Sequence, residues 1–93
     1  MKHNQYFDGN IQSLEFNGPE GPATVGVMEP GKYTFKTQAE ERISLFTGNL
    51  KIKLPGSSEW QNAEAGDSFT IPENSSYEVD VATDTAYICF YKS

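Results

Sequence analysis

Apolar residues recur at every second position in short runs, and turn-forming residues end each run before a helix could close. No other feature limits the fold as strongly. In "KYTFKT" (32–37), Tyr33, Phe35 and Thr37 share one face while Lys32, Thr34 and Lys36 share the other. Leu50, Ile52 and Leu54 oppose Lys51 and Lys53, and Tyr77, Val79 and Val81 oppose Glu78 and Asp80. Such alternation marks a strand with one dry face and one wet face. Strands are predicted near 11–16, 23–28, 32–37, 42–47, 50–54, 67–71, 77–81 and 85–91. Between them lie "NGPEGP", "EPG", "TG", "PGSS", "PENSS" and "ATD", rich in the residues that turns require. Only "QAEERISLF" (38–46) starts in helical style, and its Ile43-Ser44-Leu45 returns to alternation. Short strands with no room for crossover helices imply an all-β antiparallel sandwich or barrel. One small domain over 1–93 is expected, with 1–5 a flexible tail and Thr47-Gly48-Asn49 a tight hairpin.

Parity also sorts the polar residues. With Ile43 and Leu45 inward, Glu41 and Thr47 fall on the interior side, and Arg42 and Ser44 on the outer side. The last strand has two apolar faces, Tyr87, Cys89 and Tyr91 against Ala86, Ile88 and Phe90. Cover on both sides is therefore expected, from a second subunit or from a sandwich centre.

The charge excludes several partners. A net charge of -6 leaves no clustered Lys and Arg for nucleic acid or for an anionic membrane surface. No run approaches the roughly 18 apolar residues of a membrane helix. The start, "MKHNQYFDGN", has no charged leader followed by an apolar run, and the one cysteine, Cys89, cannot form an internal disulfide. A cytoplasmic protein is expected. A transition-metal site needs several His, Cys or carboxylate ligands converging on one point. The sole histidine, His3, sits near the N-terminus, so neither a metal nor another cofactor is expected. Trp60 reads as a barrel-end plug, and Cys89 as an inert buried thiol with no histidine to activate it.

The turn framework resembles the cupin superfamily. Its second signature, G-x5-P-x-G-x2-H-x3-N, is echoed by Gly66, Pro72, Asn74 and Tyr77, with tyrosine where the histidine ligand would stand. Its first, G-x5-H-x-H-x3,4-E-x6-G, is echoed by Gly31, Glu41 and Gly48, with Thr37 and Ala39 at the histidine places and a shortened step to Glu41. Gly31 and Gly48 are expected to supply positive φ, and Pro72 to end a strand. A narrower likeness covers almost the whole chain. Tyr6-Phe7-x-Gly9, Val25-Gly26-Val27-Met28, Gly31-x-Tyr33-Thr34-Phe35-x-Thr37 and Tyr87-x-Cys89-x-Tyr91 resemble the pyrimidine/purine nucleoside phosphorylase family of small bacterial cupins. The resemblance implies a cupin-like double-stranded antiparallel β-roll and a homodimer. It also implies metal-free phosphorolysis, in which a nucleoside and inorganic phosphate give a free base and ribose 1-phosphate.

That reaction must hold a base, offset charge on the ribose and position phosphate. Tyr33, Phe35 and Tyr77 are candidates for an aromatic wall against the base, which every base can meet by its flat face. Glu41 is the candidate catalytic group, either as a carboxylate beside the developing cation or as a buried acid protonating the departing base. Phosphate is the least legible. Lys32, Lys36, Lys51 and Lys53 alternate away from the interior and Arg42 has outward parity, unless a bulge turns it. A lysine of a second subunit, backbone amides, and hydroxyls such as Thr37, Thr47, Ser75 and Ser76 are the alternatives. The runner-up function is a non-catalytic cupin that binds a small molecule.

Overall fold

The computed structural model describes residues 1–92 and, among them, ten strands in two antiparallel sheets. They are β1 (His3–Tyr6), β2 (Ile11–Gly18), β3 (Gly21–Met28), β4 (Gly31–Lys36), β5 (Glu41–Thr47), β6 (Asn49–Lys53), β7 (Gln61–Glu64), β8 (Ser68–Ile71), β9 (Ser76–Val81) and β10 (Thr85–Tyr91). One sheet has the order β1-β2-β3-β10-β5-β8, the other β4-β9-β6-β7. From β4 onward the chain passes back and forth between the sheets, so strands distant in sequence become neighbours, as in a roll.

The core forms where the two dry faces meet. Ile11, Met28, Ile43, Leu45, Ile71 and Cys89 come from the six-stranded sheet, and Leu50, Ile52, Ala63, Tyr77, Val79 and Val81 from the other. The predicted parity of β6 and β9 is the parity found, because both strands pair on two sides and one slipped residue would send their apolar sets to water.

Four local expectations change. His3–Gln5, read as part of a tail, pair with β2 as an edge strand, and Lys2 reaches Glu15 at 3.6 Å. Residues 61–64 form β7 although "QNAE" carries only Ala63 as an apolar signal. Thr47-Gly48-Asn49 is no hairpin, since β5 and β6 lie in different sheets. Gly48, at φ 92°, carries the chain across, and an added Cβ would stand 2.5 Å from Asp84 O, so only glycine fits. Trp60 plugs nothing; it is 40% exposed, with Lys53 Nζ 5.8 Å from its ring centre.

The β5–β10 register breaks between Ala86 and Tyr87, which pair with Thr47 and Leu45, leaving Phe46 as the extra residue of a β-bulge. Beyond it Thr47 is exposed, which reverses the inward place that simple alternation gave it. Asn74 stands at the glycine position of the cupin pattern with φ 52°, a left-handed conformation that asparagine tolerates better than most side chains.

Candidate active site

Between the sheets lies a cleft of about 170 Å³. Its wall on the six-stranded side is β10, where Tyr87, Cys89 and Tyr91 point inward together. Beside them β5 supplies Glu41, Ile43 and Leu45, while β2 and β3 add Ser13, Thr24 and Met28. Across from them stand Phe35 of β4, Tyr77 and Val79 of β9, and Leu50 and Ile52 of β6. Phe69 of β8, with Tyr6 and Lys36 at the ends of β1 and β4, completes it.

Phe35 and Tyr77 are cross-strand partners, and their rings stack at 5.3 Å with 24° between planes. Phe7 meets Phe35 edge-on at 5.7 Å, so the aromatic wall continues into the β1–β2 turn. Opposite this wall is a polar patch. Glu41 is the register partner of Tyr91, and Cys89, two residues earlier on the same face, donates its Sγ–H to Glu41 Oε1 at 3.4 Å. Tyr91 and Thr24 join hydroxyls at 3.1 Å. Tyr87 lies over Gly26, its partner on β3, whose missing side chain leaves room for the phenol.

Burial governs the protonation of this patch. It raises the Glu41 carboxyl above the ordinary carboxylate range, and the Cys89 hydrogen bond offsets only part of that rise. Burial lifts the Tyr77 hydroxyl far above a free phenol, and the Glu41 charge adds to the effect. Tyr87 is pushed up to about 12 by burial and by neighbouring Cys89. Tyr91 and Cys89 rise for the same first reason. The cleft therefore offers the phenol O–H groups of Tyr77, Tyr87 and Tyr91 as donors, beside a carboxyl that holds its proton more firmly than an exposed one does.

Of the residues singled out from sequence, Glu41, Phe35 and Tyr77 are brought together here. Four are not. The Tyr33 ring is buried, but its hydroxyl donates to Glu29 O at 2.7 Å, tying the strand to the preceding turn. The Thr37 hydroxyl donates to Pro72 O at 2.7 Å and accepts from Ser75 N at 3.0 Å, so it pins the 72–75 turn. Arg42 points outward, as its parity predicted, with Glu20 at 3.3 Å and the Phe90 ring at 4.6 Å; the bulge falls at Phe46, too far along β5 to turn it. Ser76, at the start of β9, is exposed and lies off the cleft. Sequence reasoning missed Tyr6, Ser13, Thr24, Lys36, Tyr87 and Tyr91 as lining. The inward triplet Tyr87-x-Cys89-x-Tyr91 was the available signal, obscured because the opposite face of β10 is equally apolar. Lys36 alternates outward, yet it is the last residue of its strand and still lines the cleft.

Comparison with known proteins agrees with this architecture. A family model described as pyrimidine/purine nucleoside phosphorylase matches residues 1–91. A protein of Pseudomonas entomophila named pyrimidine/purine nucleoside phosphorylase is 50% identical over 92 residues, covering 99% of this chain and 98% of its own. A Vibrio parahaemolyticus protein, whose crystal structure was described as one of unknown function, superposes with a TM-score of 0.91 at 45% identity, covering 95% of this chain and 94% of the other. An RmlC-like cupin of Shewanella frigidimarina, only 14% identical, superposes with a TM-score of 0.72 over 99% of this chain and 84% of its own, a likeness of fold alone. The cupin-type roll expected from the turn framework is thus the fold found, and the chain belongs to the pyrimidine/purine nucleoside phosphorylase family.

Proposed function

We propose that the cleft carries out phosphorolysis of purine and pyrimidine nucleosides without a metal. The observation that carries this reading is the pairing of a stacked aromatic wall with a half-buried acid, Glu41, in one cleft of a chain with this family membership. Phe35 and Tyr77 meet the base by its face, which suits broad base tolerance. The phenols of Tyr77, Tyr87 and Tyr91 donate to ring and sugar oxygens. Lys36 at the mouth is the cation within reach of phosphate. Arg42, Tyr33, Thr37 and Ser76 do not line the cleft and have no role in this reading.

The steps balance with one proton. A phosphate oxygen bonds to C1′ as the C1′–N bond breaks, and that bond's electron pair leaves with the base. Glu41 protonates the departing base and regains a proton from the attacking hydrogen phosphate, leaving ribose 1-phosphate. Burial, which raises the Glu41 carboxyl above the ordinary carboxylate range, favours this role over that of a fixed anion.

A homodimer fits the outer face of the six-stranded sheet. Leu14, Val25 and Ile88 lie in register across β2, β3 and β10, and beside them Val27 is 47% exposed. A second copy covering this face gives β10 the two-sided burial its sequence calls for. The single free, buried Cys89 suits a reducing cytoplasm.

Purified protein incubated with uridine, inosine or adenosine tests the reading. Free base and ribose 1-phosphate in equal amounts, formed only with phosphate present, are expected. Saturable nucleoside binding with no turnover would replace the enzyme by a binding protein.

A further inference from the structure

The reaction described above leaves the thiol of the cleft without a task. Cys89 is 3% exposed at the middle of β10, and its thiol touches Glu41 Oε1. Burial, and then the adjoining Glu41 charge, push the thiol well above its ordinary range, so it stays S–H. A protonated thiol makes a poor nucleophile. What it can do is donate.

Among the described residues, the side-chain hydrogen bond that reaches the Glu41 carboxyl comes from Cys89, and the other ionisable groups nearby make none to it. Tyr91 faces it across the β5–β10 ladder, with its own hydroxyl joined to Thr24. Tyr77 of β9 and Tyr87 of β10 are held neutral, and Tyr6 and Lys36 line the same cleft from β1 and β4. On the β8 side Glu41 pairs with Ile71, and Phe69 is the β8 residue in the cleft; neither ionises.

We propose that Cys89 is the positioning residue for Glu41: its S–H bond turns the carboxyl into the cleft and stabilises the charged form in a site that otherwise disfavours it. The functional consequence rests on reading Glu41 as the proton donor, but the contact can be tested without turnover. Too firm a hold on the proton would spoil an acid that must release it once per cycle, and a weak sulfur donor moderates that hold.

The test is a ¹³C NMR titration of the Glu41 carboxyl in wild type, Cys89→Ala and Cys89→Ser. The midpoint is expected to rise in Cys89→Ala and to return to or below the wild-type value in Cys89→Ser, which restores a donor. Coincident midpoints in wild type and Cys89→Ala overturn the proposal. Should a variant fail to fold, infrared spectroscopy of the wild-type S–H stretch serves instead: the band is expected to shift as Glu41 titrates, and a band indifferent to pH overturns the proposal. In kinetics, the basic limb of the kcat profile is expected to move upward with the midpoint in Cys89→Ala. A loss of kcat with an unmoved limb reduces Cys89 to packing. Absence of any phosphorolysis by wild type, alongside a shifted midpoint, counts against the reaction and supports the thiol–carboxyl contact.

Discussion

Replacing Gly26 by alanine tests whether the Tyr87 phenol really occupies the floor of the cleft. Gly26 has ordinary backbone angles, so the matter is space rather than φ. An added Cβ would stand 2.6 Å from Gln12 O, 2.8 Å from Tyr87 Oη and 2.9 Å from Ser13 Cβ. All three distances are shorter than side-chain carbons tolerate. Tyr87 can swing aside, but Gln12 O belongs to the backbone of β2, which pairs with β3, and cannot yield without disturbing that pairing. Overpacking of this kind costs about 1–3 kcal/mol. Alanine recovers about 0.4–1 kcal/mol by restricting the unfolded chain. The clash wins, for a net loss on the order of 1–2 kcal/mol, or a fall in Tm of roughly 4–16 °C for a domain of this size. Calorimetry of Gly26→Ala reads the fall directly. Combining it with Tyr87→Phe, which deletes the Oη contact, should restore part of the loss. A Tm at or above wild type for Gly26→Ala alone would refute the packing described.

Four further outcomes are expected. Burial raises the Glu41 carboxyl, so the folded state holds its proton to higher pH than the unfolded chain does, and stability falls as pH rises between the two midpoints. The Tm difference between Glu41→Gln and wild type should therefore shift in favour of the variant as pH rises through that window; a pH-independent difference contradicts it. If Lys36 holds phosphate as proposed, Lys36→Gln removes a charge-assisted bond worth about 1.5–3 kcal/mol and should raise KM for phosphate roughly 10- to 100-fold with KM for nucleoside little changed. Arg42→Ala should leave both constants unchanged. Val27→Glu places a charge on the outer sheet face and should turn a dimer into monomers by light scattering while each cleft keeps its stacked wall; a monomeric wild type would remove the dimer.

What the sequence disclosed follows from the range of the forces involved. Strands such as β6 and β9 were legible because period two is written locally, and their burial enforces it. The edge strands β1 and β7 were not, since backbone pairing to a neighbour asks little of side chains. Thr47 was misplaced because one bulged residue, Phe46, inverts every parity after it. Glu41, Phe35 and Tyr77 could be put on interior faces by alternation alone. The rest of the cleft depends on β10 lying between β3 and β5, a long-range pairing with no local trace. Tyr33 and Thr37 show the converse limit: inward parity is shared by a residue that lines a cleft and one whose hydroxyl fastens a turn.

The proposal that Glu41 supplies the proton is tested most directly by comparing two leaving groups in one variant. Hypoxanthine departs from inosine as a neutral base only with protonation, whereas 7-methylguanosine already carries on its base the positive charge that protonation would add, so 7-methylguanine departs neutral without it. Glu41→Gln should lose roughly 10²–10⁴-fold in kcat on inosine with phosphate saturating, and keep most of its rate on 7-methylguanosine. Equal losses on the two nucleosides, or none on either, would contradict the role assigned to Glu41.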